Sequence, residues 1–186
     1  MGKVFCKICG MSINEKNFEI NNNALPEGNS EEHYEYCPFC GAHKRYFCES
    51  SEKIYTTDTE KLTIKELEIF DHATKLEIFN GDFYMEASRR AIKDENKLMF
   101  RELANIEYIH AKVHMKLGGI DKKPELRKID YGRLKNDEEF IKEANNRERH
   151  AVSFYDKGIA NSEDKTVKEV LKAFMEIEKD HIIMTE

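Results

Sequence analysis

Two Glu-x-x-His pairs, Glu107 with His110 in ANIEYIH and Glu178 with His181 in AFMEIEKDH, stand 71 positions apart in otherwise apolar helical surroundings. Glutamate and histidine are costly on the buried face of a helix unless something pairs them. A sequence that puts them there twice, at one offset, needs a fold that brings the two places together. The same 71-residue offset relates Glu77 to Glu148, and it relates Tyr84 to Tyr155, each seven residues beyond its glutamate. Within each half, 30 residues separate the lone glutamate from the glutamate of the Glu-x-x-His pair. The helical part of the chain therefore reads as a duplication.

From about Thr63 onward glycine and proline thin out and apolar residues recur at helical spacing. The pattern predicts four helices, running from Leu67 to Ile92, Asn96 to Leu117, Asp137 to Ala160 and Asp164 to the C-terminus. DENKLM and ANSED make short turns, and the stretch from Gly118 to Asn136 makes a long connection, which is the loop pattern of a four-helix bundle with one crossover. At about 100° per residue, Glu107 and His110 share an arc with Phe100, Leu103, Ile106, Ala111, Val113 and Leu117. Glu178 and His181 share one with Val167, Val170, Leu171, Phe174 and Ile177. Glu77 falls among Ile69, Phe70, Ala73, Ala87 and Ala91, and Glu148 among Ile141, Ala144, Ala151, Val152 and Ile159. Each helix thus carries one inward carboxylate. His72 and His150 fall on outward arcs, and His114 has Thr185 as its counterpart, so these three histidines read as ordinary residues.

Four buried carboxylates without counter-charge repel and raise one another's pKa values. Two divalent ions cancel that charge, and in Glu-x-x-His the two side chains lie one turn apart on one face, within reach of adjacent metals. Imidazole together with hard oxygen suits iron or manganese better than calcium or magnesium.

The N-terminal part is organised differently. Cys6-Lys-Ile-Cys9-Gly and Cys37-Pro-Phe-Cys40-Gly are two C-x-x-C-G loops, with 27 residues between Cys9 and Cys37. Two such loops present four thiolates to one tetrahedral ion, and a glycine after the second cysteine lets the backbone turn with positive φ. A module this small needs its metal to stay folded. NNNALPEGNSEE is turn chemistry, and KVF and HYEY read as short strands. Cys48 lies outside the pattern and reads as a free thiol. The division expected is a four-cysteine metal module over residues 1–52, a linker over 53–62 and the bundle over 63–186.

A net charge of −6 and 35% charged residues in a chain of 186 speak for a solvated acidic surface and against a nucleic-acid partner. No run approaches the roughly 18 apolar residues of a membrane span, and the start has no apolar core of signal-peptide length. A cytoplasmic location is expected, and there cysteines serve metal or redox chemistry rather than disulfides.

CKICG and CPFCGAHKRYF resemble the two knuckles of rubredoxin modules, although GMSI lacks the usual aromatic and the chain has no tryptophan. The helical ligand set resembles that of ferritin-like di-iron bundles: one glutamate from each of two helices and Glu-x-x-His from each of the other two. Taken together, nearly the whole chain resembles a rubrerythrin of the reverse form, in which the rubredoxin-like module precedes the bundle. The resemblance implies that Glu77, Glu107, His110, Glu148, Glu178 and His181 bind a di-iron pair. It implies that Cys6, Cys9, Cys37 and Cys40 bind one iron, with zinc as the alternative, and that Tyr84 and Tyr155 sit beside the di-iron site. Many rubrerythrins carry a further carboxylate where this chain has Ala151.

The activity implied is reduction of hydrogen peroxide, and of dioxygen as a second oxidant, to water in defence against oxidative stress. Electrons would come from NAD(P)H through a separate rubredoxin reductase or similar donor and pass through the cysteine-bound iron. A homodimer is implied too, and ESSEKIYTTDTEK is long enough to carry the module across to a partner's bundle. The alternative is a ferritin-like iron-oxidising or iron-binding protein with a structural zinc ribbon. The metal held by the four cysteines separates the two, because zinc cannot relay electrons. A zinc-ribbon interaction module on an inert scaffold is opposed by the inward carboxylates.

Overall fold

Three of the four long helices start at a side chain that takes up an orphan backbone N–H group. In the computed structural model, which describes residues 4–186, the helices are α1 (Ile64–Arg90), α2 (Asp94–Gly118), α3 (Asp137–Asn161) and α4 (Lys165–Met184). The first three residues of the opening stretch lie outside the described residues. Helix α1 begins earlier than apolar spacing indicates because Thr63 and Glu66 form a capping box. Glu66 N donates to Thr63 Oγ1 at 3.2 Å, and Thr63 N donates to Glu66 Oε2 at 2.9 Å. Asn136 and Asp164 cap α3 and α4 through Glu139 N and Val167 N, each at 2.9 Å. Helix α2 ends at Gly119, whose φ of +66° is the left-handed stop that glycine adopts without strain.

The duplication extends to how the hairpins hold each other. Helices α1 and α2 pack along one another, as do α3 and α4. Buried Glu66 also reaches across to the turn between α3 and α4, where its Oε1 accepts from Glu163 N at 2.9 Å and Asp164 N at 2.8 Å. Asp137, 71 residues later, accepts from Ile92 N at 2.6 Å and Lys93 N at 3.0 Å in the turn between α1 and α2. Each hairpin's first helix thus pins the other hairpin's turn with a charge-assisted hydrogen bond.

Three short strands build the small module: β1 (Val4–Cys6), β2 (Ser12–Ile13) and β3 (Phe47–Cys48), antiparallel in the order β2-β1-β3. The expected KVF strand is present from Val4. The expected HYEY strand is not: apart from one bridge between Tyr36 and His43 it stays irregular. A buried side chain takes the place of a strand partner there. Asn29 Oδ1 accepts from Glu35 N and Tyr36 N, each at 3.1 Å, and its Nδ2 donates to Tyr36 O at 2.9 Å. Cys48 is a buried free thiol, as its position outside the pattern indicates.

This module sits on α2 and α4 of its own chain. Tyr46 Oη donates to Glu176 Oε2 at 2.9 Å, Asn23 N donates to Glu102 Oε2 at 2.7 Å, and His43 Nε2 lies 3.0 Å from Asp180 Oδ2. A single apolar cluster joins Ile8, Ile13, Cys37 and Cys40 to Phe70, Phe174 and Ile177. The expected linker is tied down at both sides, by Tyr55 N on Lys7 O at 2.9 Å and by Thr57 Oγ1 on Leu117 O. No helix among the described residues is long and apolar enough to cross a membrane.

Candidate metal centres

All six bundle residues singled out by the duplication are buried and converge. They form two overlapping sets, Glu77, Glu107, His110 and Glu178 in one and Glu107, Glu148, Glu178 and His181 in the other, with the ligand atoms of each set within 4.8 Å of one another. Glu107 and Glu178 belong to both sets, so they stand where bridging carboxylates belong, while Glu77 and Glu148 each serve one side. The geometry of Glu-x-x-His explains the sharing. His110 Nδ1 lies 3.3 Å from Glu107 Oε2, and His181 Nδ1 lies 3.1 Å from Glu178 Oε2. The two imidazole rings face each other nearly parallel, 14° between planes, with centroids 6.1 Å apart.

The outer carboxylates are held crosswise by the tyrosines. Tyr84 Oη donates to Glu148 Oε1 and Tyr155 Oη donates to Glu77 Oε1, each bond joining one half of the duplication to the other. Each of the four carboxylates keeps one poorly satisfied buried oxygen: Glu77 Oε2 and Glu148 Oε2 have no hydrogen-bond partner among the described residues, Glu107 Oε1 lies 3.2 Å from His181 Nδ1, and Glu178 Oε1 lies 3.5 Å from His110 Nδ1. Such a gathering of buried acceptors fits a cation pair.

Electrostatics support the same fit. Burial, reinforced by the charges of Glu107 and Glu178, pushes the Glu77 and Glu148 carboxyls well above the usual range. Burial acts the same way on Glu107 and Glu178, but hydrogen bonds from His110 and His181, and for Glu178 the His181 charge, hold both below it. Burial lowers the two histidines, yet the glutamates overcome it, taking His110 up to about 9 and His181 well above its ordinary value. These directions favour protons on Glu77, Glu148, His110 and His181 in the metal-free core, which would offset four carboxylates. Two divalent ions carry the same positive charge. Loading them should accordingly expel about four protons per chain near neutral pH, since ligands bind metal deprotonated. Calorimetric titration in buffers of different ionisation enthalpy reads that number, and a release near zero contradicts the assignment.

The four knuckle cysteines also meet. Cys6 Sγ lies 3.7 Å from Cys40 Sγ, and Cys9 Sγ lies 3.6 Å from Cys37 Sγ. A regular tetrahedron with metal–sulfur bonds near 2.3 Å has edges of about 3.8 Å, so the cage has the size for one ion. Gly10 and Gly41 follow the second cysteine of each loop with φ of +77° and +73°. Each donates its N–H back to the first cysteine's carbonyl, at 2.9 Å to Cys6 O and 2.8 Å to Cys37 O. Without a cation the cage cannot hold four thiolates. Burial pushes Cys37 and Cys40 well up, and Cys6 is lowered against its own burial by hydrogen bonds with Cys37, Cys40 and Cys9. Such a cage suits zinc or iron.

One hydrogen bond joins the two centres. His110, with Nδ1 turned to the glutamates, places Nε2 2.9 Å from Cys40 O. A histidine that ligates through Nδ1 carries its proton on Nε2, and here a ligand loop of the second centre accepts it.

His114 corrects the expectation that it is an ordinary residue. It is fully buried, with Nε2 2.8 Å from Tyr155 Oη and 3.9 Å from Glu77 Oε1. The duplication hides it because its counterpart is Thr185, but its place one turn beyond His110, on the same apolar arc, is a usable signal. His72 and His150 are exposed, as their outward arcs indicate. The duplicated ligands form one buried centre, the cysteines form a second beside it, and no protein-family model, curated protein or solved structure matches the chain.

Proposed function

We propose that the protein is a rubrerythrin-type peroxidase: a ferritin-like di-iron bundle that reduces hydrogen peroxide, with dioxygen as a second oxidant, fed with electrons through a rubredoxin-like iron held by four cysteines. The observation that carries this reading is the hydrogen bond from His110 Nε2–H to Cys40 O. It links a thiolate ligand of one centre to an imidazole ligand of the other through covalent bonds and a single contact, the connection an electron relay needs and a structural ribbon does not. Ferrous iron bound there would supply two electrons, which with two protons take one hydrogen peroxide to two waters. Iron suits both donor sets, mixed oxygen and imidazole in the bundle and thiolate in the cage.

The chain's own residues do the rest. Glu107 and Glu178, shared by both ligand sets, would hold both ions, Glu77 and His110 would serve one of them, and Glu148 and His181 the other. Tyr84 and Tyr155 orient the end carboxylates and hold hydroxyl protons at the wall of the site. Phe100, Leu103, Ile106, Phe174 and Ile177, all buried, keep bulk water out. Cys6, Cys9, Cys37 and Cys40 would hold the iron that takes electrons one at a time from a separate NAD(P)H-dependent reductase.

The test is a single turnover. Iron-loaded protein, reduced without oxygen and freed of excess reductant, should consume about one hydrogen peroxide per di-iron pair within seconds and release no free iron. A reduced protein that leaves peroxide untouched, or that takes up and mineralises iron instead, overturns the peroxidase in favour of an iron-oxidising function.

A further inference from the structure

The duplication breaks beside the metal pair at His114, whose counterpart 71 positions on is Thr185. Thr185 uses its hydroxyl within its own helix, donating to His181 O at 2.9 Å. His114 instead turns its ring into the core against Phe174, with centroids 4.2 Å apart, and sets Nε2 2.8 Å from Tyr155 Oη. The two otherwise equivalent tyrosines therefore differ. Tyr84 Oη has Glu148 as its hydrogen-bond partner among the described residues, while Tyr155 Oη stands between Glu77 and His114.

Proton counting gives this chain a direction. His114 is fully buried, its Nδ1 has no hydrogen-bond partner among the described residues, and Glu77 Oε1 stays 3.9 Å from its Nε2, so nothing there compensates a charge on the ring, which is neutral and has one N–H. A tyrosine hydroxyl likewise has one proton to give and lone pairs to accept with. A carboxylate that holds a cation can only accept. Tyr155 must then donate to Glu77 Oε1 and accept from His114 Nε2–H, leaving His114 Nδ1 as a bare acceptor. That nitrogen is fully buried and has no hydrogen-bond partner among the described residues. Donors arranged in sequence strengthen one another, and ligands held by such outer contacts bind metal more tightly.

We propose that His114 is a positioning residue that fixes the Tyr155 hydroxyl as a donor to Glu77, so that the metal position of Glu77 and His110 binds more tightly than that of Glu148 and His181. The inference rests on the bundle holding a metal pair. It makes the two ions inequivalent in a site whose six ligands are symmetric by sequence.

Cobalt(II) titration of the full-length metal-free protein tests it. The ligand-field bands of bundle ions are separable from the thiolate charge-transfer band of the cage. Wild-type protein should fill the bundle in two resolved steps. His114→Leu should weaken the tighter step about 10- to 100-fold and leave the other within about threefold. Tyr155→Phe should do the same, and adding His114→Leu to it should change nothing further, because the effect runs through that hydroxyl. His114→Gln, whose amide can donate from the same place, should keep the tight step. If the leucine variant does not fold, the contrast between His114→Gln and Tyr155→Phe decides. A folded His114→Leu protein with the wild-type isotherm, full additivity with Tyr155→Phe, or a glutamine variant as weak as Tyr155→Phe overturns the proposal. Wild-type protein that takes fewer than two bundle ions removes the metal-pair reading, and this inference with it. Two ions with indifference at position 114 removes the inference alone.

Discussion

Replacing Glu107 or Glu178 with alanine should strip the bundle of about one metal or more per chain, because each carboxylate belongs to both candidate ligand sets. The loss is larger than at Glu77 or Glu148, which serve one set each. Glu95 and Glu138 are the matched controls, since both are exposed on the same helices or their neighbours and touch neither centre. Glu102 and Glu176 face outward by helical spacing too, but they are unsuitable: Glu102 accepts from Asn23 and Glu176 pairs with Tyr46 and Arg45, so both hold the N-terminal module onto the bundle. Metal analysis after gel filtration, with far-UV dichroism to confirm helix content, is the measurement. Equal metal content in the Glu107, Glu178, Glu95 and Glu138 variants would sink the di-metal assignment. In the metal-free state the Glu107 and Glu178 variants should also be less stable than wild type, because His110 and His181 lose the anions that hold their protons in a dry core.

The second large effect is kinetic. A Cys9→Ser or Cys40→Ser protein, chemically pre-reduced, should complete its first peroxide turnover, since no bundle ligand depends on those thiolates. It should then stall. Steady-state turnover with NADH and a rubredoxin reductase should fall severely, because the re-reduction step loses its carrier. Bundle iron should stay near the wild-type level. Cys9 is the cleaner position: it is only partly buried, whereas Cys40 is fully buried and its carbonyl holds His110. The variant must remain folded, because a small module that loses its ion can unfold. A folded, iron-replete variant with undiminished turnover would show that electrons enter elsewhere.

Most of the site was legible in the sequence because its residues obey two periodicities at once, the helical one and the 71-residue one. Glu107 and His110 betray themselves as polar residues on an apolar arc, and their copies at Glu178 and His181 make coincidence untenable. The cysteines are legible for a different reason: a C-x-x-C-G loop is a local structure, complete within five residues. What periodicity cannot show is any contact that the copies do not share. His114 acts where its counterpart is threonine, and the 71-residue offset passes over it on that account. The crosswise clamps of Glu66 and Asp137 obey the offset but change residue type, so their kinship appears only when Glu163 N and Ile92 N are seen at their carboxylates. The irregular path of HYEY depends on Asn29, a single buried amide whose competition with strand pairing no alternation pattern records. Where the module rests is decided by surface pairs such as Tyr46 with Glu176, which carry no sequence signature at all.

In the proposed function a di-iron bundle lies in direct contact with a redox-active iron held by four cysteines. The most direct measurement is an optical spectrum joined to a metal assay on protein made with ample iron and purified without oxygen. Iron is expected at both centres, two ions per bundle and one per cage. Thiolate-to-iron charge-transfer absorption is expected in the visible, bleached by a reductant and restored by peroxide. A colourless cage holding zinc under those conditions would contradict that function.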